Sequence, residues 1–194
     1  QLQWDTLYHE HLTFYSLGTL SRLLRRYGFH VFHAERLPMH GGSLRIAASR
    51  QADRPITPEM AAVQAYEERL KLNDVATWKA FGSQIHHKIQ IVGDTLSRLA
   101  KNSRIWGYGA AGKATLWVNA AKLDFLEAVV DASPLRAGKL MPGTHTPIVF
   151  PDKLRENPPD YIFVTAWNYA DVIRKKESWF QGIWVTPLPD CRFF

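Results

Sequence analysis

The residues Gly107-Tyr108-Gly109-Ala110-Ala111-Gly112-Lys113 stand between an apolar run, Ile105-Trp106, and a helical run over 114–121. No other stretch constrains the fold as strongly, because a glycine-rich turn in this position marks a strand passing directly into a helix. Glycines let the backbone approach an anion closely, and the N–H groups that open the helix present the positive end of its dipole. The stretch therefore reads as a phosphate cradle. Gly107, Gly109 and Gly112 have the dinucleotide-binding spacing, and Asp131 ends the next apolar run about 20 residues on, where such folds hydrogen-bond a ribose. With Lys113 the turn also matches most of a P-loop, but Ala114 stands where a hydroxyl must hold magnesium, which disfavours ATP hydrolysis. The competing reading is that the glycines serve only tight strand-to-helix packing.

Around this turn, apolar strand signals at 125–130, 161–165 and 182–185 alternate with helical runs, one of them at 169–176. That order predicts a parallel, Rossmann-like α/β sheet over 103–194. Upstream, leucines at amphipathic spacing predict a helix over 13–27, capped by Ser16 and stopped by Gly28. Strands at 29–32 and 43–47 follow, joined through the turn Pro38-Met39-His40-Gly41-Gly42 as an antiparallel pair. The polar stretch 51–58 reads as a linker. Thr57, Pro58 and Glu59 then start a helix to Leu72, and a second helix over 75–99 places Ile85, Ile89, Val92, Leu96 and Leu99 on one face. Three parts are expected: 1–52, linking helices over 53–102, and 103–194.

The 194 residues suffice for one domain, or one domain and part of another, and 46% hydrophobic with 22% charged residues is a globular composition. No apolar run approaches the roughly 20 residues of a membrane span, and no signal peptide is recognised. Cys191 is the only cysteine, which excludes an intrachain disulfide and makes a reducing cytoplasm the expected setting. A net charge of +6 favours an anionic partner. Arg22, Arg25 and Arg26 lie along one helix, while Arg69 and Lys71 are mixed with Glu67 and Glu68. Without a basic block interleaved with aromatics, nucleic acid is disfavoured and a small phosphorylated ligand fits. The chain opens on Gln1 rather than methionine and is expected to be part of a longer protein.

Three further groups carry chemistry. Tyr8-His9-Glu10-His11 places proton-active groups in one turn. Its histidines are two apart rather than the four of a helical zinc site, so no metal is expected, and an acid/base role for a histidine titrating near neutrality fits better. The long loop after Asp131 carries Lys139 and His145, which are expected to close over an anion at the carboxyl ends of the strands. Asn168, after Val164-Thr165-Ala166-Trp167, is expected either to meet ligand there or to cap the next helix.

Taken together and in order, Leu7-Tyr8-His9-Glu10-His11 with Phe14-Tyr15-Ser16, His40-Gly41-Gly42-Ser43-Leu44-Arg45, the glycine turn with Leu116 and Asn119, Met141-Pro142-Gly143-Thr144-His145-Thr146-Pro147-Ile148, and Ala166-Trp167-Asn168 resemble the carboxyl-terminal half of sugar C-methyltransferases. These enzymes methylate a keto-deoxysugar carried on a nucleoside diphosphate. The resemblance implies that residues 1–52 are the tail of a class I methyltransferase core and that a Rossmann-like domain follows. It implies His11 as the base that removes the proton from carbon 3, giving an enolate that attacks the methyl group of S-adenosylmethionine. Tyr8 is then the nearest donor to the enolate oxygen and Glu10 the group orienting the histidine, while Gly107, Gly109, Gly112, Lys113, Lys139, His145 and Asn168 are expected to meet the phosphorylated substrate. The glycine-rich region that holds S-adenosylmethionine in the family precedes Gln1, so this chain is expected to be inactive alone and to work with an S-adenosylmethionine-binding domain in cis or in trans. Two other classes stay open: a non-catalytic nucleotide-sugar-binding or partner-pairing module, and an NAD(P)-dependent oxidoreductase domain resting on the three glycines and Asp131.

Overall fold

The computed structural model describes residues 2–39 and 42–194, so His40 and Gly41 of the hairpin turn and of the motif quoted above lie outside the described residues. The chain forms two compact units, one made of residues up to His11 with Ser83–Phe194, the other of Leu12–Gly82. These divisions fall at 11/12 and 82/83, not at the 52/53 and 102/103 expected from composition.

In the Leu12–Gly82 unit, α1 (Leu17–Arg25) starts where Ser16 and Thr19 form a reciprocal capping box. The strands β1 (His30–Leu37) and β2 (Ser43–Ser49) pair antiparallel, from His30 opposite Ser49 to Leu37 opposite Ser43, with an irregularity between Val31 and His33. The helix α2 (Pro58–Leu70) opens with Thr57 as cap and Pro58 in its first turn. It is not a linking helix. Met60 and Val63 bury themselves with Leu17, Val31 and Ala34 in one core, and the Glu67 carboxylate accepts from the Leu17 and Gly18 N–H groups at 2.5 and 3.0 Å. An acidic side chain thus satisfies the amino end of α1.

The helix α3 (Val75–Leu99) runs through the boundary at Gly82 and buries Ile85, Val92 and Leu96. The other unit is built on β3 (Ile105–Tyr108), α4 (Gly112–Ala120), β4 (Val129–Val130), β5 (Ile148–Val149), α5 (Pro151–Glu156), β6 (Tyr161–Val164), α6 (Ala170–Lys176), β7 (Ile183–Thr186) and β8 (Arg192–Phe193). Its sheet has the order β5-β4-β3-β6-β7-β8. The first five strands are parallel and β8 returns antiparallel to β7, so the Rossmann-like α/β organisation is present in a mixed rather than purely parallel sheet. Counted from β3, this is the doubly wound order, with its reversal between β3 and β6. Ligands of such sheets lie outside the carboxyl ends of the two strands that flank the reversal. Here the Thr165 hydroxyl after β6 donates to the carbonyls of Tyr108, the last residue of β3, and of Gly109, pinning the two ends together.

Behind that seam, the Tyr108 hydroxyl donates to Glu177 Oε1 at 2.9 Å, and the Trp179 indole N–H donates to Glu177 Oε2 at 2.8 Å. Burial first, and then the bond to Glu177, push the Tyr108 phenol well above its ordinary range. An unfolded tyrosine ionises near pH ~10, whereas Tyr108 in the fold stays neutral. Its contribution to stability is therefore complete below about pH 10 and is lost as pH rises further. Tyr108→Phe is expected to flatten this alkaline decline, as measured by denaturant midpoints between about pH 8 and 11. An unchanged slope would exclude the coupling.

Candidate active site

The segment Leu2–His11 folds back onto the head of α4, across the seam where the sheet order reverses. A 3-10 turn, Trp4–Thr6, sets its course. The Trp4 indole is buried edge-on against Trp117 of α4, with ring centroids 4.9 Å apart. Asp5 is fully buried, and its Oδ2 accepts from the Trp117 indole N–H at 3.1 Å and the Trp167 indole N–H at 2.6 Å. Its other oxygen lies 3.8 Å from Lys113 Nζ, which also sits 4.7 Å above the Trp167 ring. Asp5 thus brings negative charge to the cation that the glycine turn presents.

Tyr8 follows one turn later. At Gly112, the first residue of α4, a Cβ would lie 3.0 to 3.1 Å from three atoms of the Tyr8 ring, so the missing side chain is what lets the tyrosine seat there. His11 packs against the Tyr8 ring, the two centroids 4.2 Å apart and the planes tilted by 37°. His11 Nδ1 lies 2.7 Å from the Thr6 carbonyl oxygen. A carbonyl can only accept, so Nδ1 carries the hydrogen and Nε2 holds the lone pair of the neutral ring. The orienting partner of Nδ1 is this backbone oxygen rather than the Glu10 carboxylate. Both Glu10 and His11 are exposed, and Tyr8 is half-buried.

The remaining predicted residues divide. The glycines face the protein itself: a Cβ at Gly107 would lie 3.0 Å from a Val129 methyl, and one at Gly109, whose φ is +95°, would lie 3.0 Å from Ala166. Lys113 meets Asp5 and Trp167 as described. Asn168 is half-buried in the 3-10 turn Trp167–Tyr169 after β6, at the carboxyl end of the sheet, and does not cap α6. Lys139 and His145 are exposed and lie at the opposite end from that expected. The Asn119 amide, one residue before the end of α4, donates to the Pro142 carbonyl at 2.9 Å, and the Lys139 carbonyl accepts from Ile148, the first residue of β5, at 2.8 Å. The loop that carries them therefore packs at the amino ends of the strands, because α4 returns there.

Asp131 is likewise engaged by its own fold. It accepts from the Ala110 N–H at 2.7 Å, the Ser133 N–H at 2.8 Å, and Arg136 Nε and a terminal nitrogen at 3.0 and 3.2 Å. Burial pushes its pKa up, but the Ala110 N–H, Arg136 and the Ser133 N–H outweigh that and leave the carboxyl below its ordinary range. Those donors take up the acceptor capacity that a ribose would use. Among the described residues no helix is long and apolar enough to cross a membrane, and no group of three His, Cys, Asp or Glu side chains could hold a metal ion.

Sequence reasoning passed over Asp5, Trp117 and Trp167 as parts of this arrangement. No spacing rule links them, since Asp5 lies more than a hundred positions from both indoles; the one available signal was Lys113, a cation at a dry turn in need of a counter-charge.

Residues 38–189 match the family model described as the C-methyltransferase C-terminal domain. The chain is also 32% identical over 197 aligned residues to the C-methyltransferase NovU of Streptomyces niveus, a match that covers 98% of this chain and 47% of that protein. It spans about half the length of that curated relative, and unlike the family match the alignment extends over nearly all of the chain. Family model and relative agree on the class of protein, and the chain belongs to the C-methyltransferase family, whose C-terminal domain it contains.

Proposed function

We propose that this chain supplies the proton-abstracting, carboxyl-terminal part of an S-adenosylmethionine-dependent C-methyltransferase acting on a keto sugar carried by a nucleoside diphosphate. One observation carries the reading: His11 Nδ1 is held by the Thr6 carbonyl at 2.7 Å, so the basic lone pair of the imidazole is on Nε2. A hydrogen alpha to a ketone is acidic enough for a neutral imidazole to remove only if the developing enolate oxygen is stabilised. Nε2 of His11 takes the proton from carbon 3, and the Thr6 carbonyl stabilises the resulting imidazolium through the Nδ1 hydrogen. Tyr8, stacked against the same ring, is the donor placed nearest to the developing oxyanion. Glu10 stands exposed in the same turn.

The chain's own residues do not fit S-adenosylmethionine. At the glycine turn, Tyr8 covers Gly112 and Asp5 stands opposite Lys113, which leaves the head of α4 to protein rather than cofactor. The methyl donor is bound by a domain supplied in cis or in trans, and the chain by itself is inactive. Calorimetry on the 194-residue chain is expected to give no saturable heat with S-adenosylmethionine at micromolar concentrations. Micromolar binding would overturn this division of labour, and tighter binding of NAD than of a nucleoside-diphosphate sugar would favour an oxidoreductase instead.

A further inference from the structure

We propose that Asp5 is a positioning residue for the reaction: it fastens the segment bearing Tyr8 and His11 into the cradle that a nucleotide phosphate occupies in other folds of this order. The proposal rests on His11 acting as the base. Asp5 is completely buried, and burying a carboxylate is costly unless it is paired and hydrogen-bonded. Its partners come from two different elements: Trp117 lies on α4, while Trp167 opens the turn after β6. Lys113, at the second position of α4, stands 3.8 Å away. One carboxylate thereby joins the segment Leu2–His11 to both strands' carboxyl ends at the reversal of the sheet.

The geometry transmits this anchor to the base over a short path. Thr6, next to Asp5, supplies the carbonyl that receives His11 Nδ1–H, and the Thr6 hydroxyl donates to the Gln3 carbonyl at 3.0 Å, closing the turn around Asp5. The His11 N–H donates to the Tyr8 carbonyl at 2.9 Å, and the two rings stack. Tyr8 in turn rests on Gly112, next to Lys113. A shift of Asp5 therefore moves the Thr6 carbonyl and, with it, the direction in which Nε2 points. The counter-charge to Lys113 at the head of α4 is thus a side chain of the same polypeptide.

The test compares Asp5→Asn with Trp167→Phe in the complete protein, including its S-adenosylmethionine-binding part. Asp5→Asn removes the charge. Trp167→Phe removes the shorter of the two indole bonds and keeps an aromatic ring beside Lys113, at a half-buried position. Misplacement of a reacting group by about an ångström costs on the order of 100-fold, so kcat is expected to fall about 10- to 100-fold in Asp5→Asn and by less in Trp167→Phe. KM for the nucleotide sugar should change little, and the nuclear Overhauser contact between labelled Tyr8 and His11 rings should weaken in step with kcat. A folded variant that loses only thermal stability, with kcat and the ring contact both unchanged, overturns the proposal. Normal turnover by His11→Ala would refute the base assignment instead, and the ring contact, which needs no activity, still decides whether Asp5 positions the segment.

Discussion

His11→Ala is expected to lower kcat of the complete enzyme by about 10²- to 10⁴-fold, the contribution typical of a well-placed general base. KM for the nucleotide sugar should change much less, because the proton is removed only as the transition state is approached. The physical content lies in the tautomer. With Nδ1–H committed to the Thr6 carbonyl, the ring offers a single basic nitrogen, and the same hydrogen bond shortens and strengthens once the imidazole is charged. Alanine removes both. His11→Asn returns a polar group that cannot take up a proton and is expected to be nearly as slow. Steady-state kinetics on the two variants checks this, and turnover near that of the unmodified enzyme eliminates His11 as the base.

The second large effect concerns stability. Asp131→Ala removes the acceptor for the Ala110 and Ser133 N–H groups and for Arg136. Arg136 is partly exposed and turns to water, so its share is small. The buried Ala110 N–H does not have that escape, and with the weaker Ser133 bond the loss is expected to be about 2–4 kcal/mol, measured by denaturant unfolding. The sign with pH is fixed as well. Because the folded carboxyl titrates below its unfolded value, near pH ~3.9, its contribution is present above that pH and disappears as pH falls through the lower, folded value. The variant should therefore lose part of the acid sensitivity of the unmodified chain; an identical acid limb, or a destabilisation within about 0.5 kcal/mol of zero, would contradict the role given to Asp131.

The sequence made the local elements readable and left the non-local ones hidden. Thr57, Pro58 and Glu59 announce α2 because capping and proline chemistry act within one turn. The 25-residue helix Val75–Leu99 is readable because its apolar face repeats over many turns. By contrast β4, β5 and β8 have two residues each, too few for any period, and are defined by the neighbours they pair with. The run 125–130 shows the consequence: Leu126 and Ala128 are buried in the approach to a strand that holds only Val129 and Val130. Pro151 and Asp152 carried a start signal for α5, which a reading centred on the preceding loop passes over.

The same distinction applies to the site. Tyr8, Glu10 and His11 stand out by residue type, and Gly107, Gly109 and Gly112 by spacing. That Tyr8 rests on Gly112 is a fact of tertiary packing between residues about a hundred positions apart. Lys139 and His145 mislead for a related reason. Their loop follows β4 at the carboxyl end of the sheet, yet Asn119 ties it to the far end of α4. The glycine turn organises the sheet as its spacing suggests, while the carboxylate facing Lys113 at the head of α4 is that of Asp5, which no spacing rule announces.

The most direct measurement is solvent-deuterium exchange at carbon 3 of the nucleotide-linked keto sugar, followed by proton NMR on the complete enzyme in the absence of S-adenosylmethionine. Proton removal by His11 Nε2 predicts wash-in of deuterium with the unmodified enzyme and its loss, by about 10²-fold or more, in His11→Ala. Exchange at the unmodified rate in His11→Ala would contradict the account.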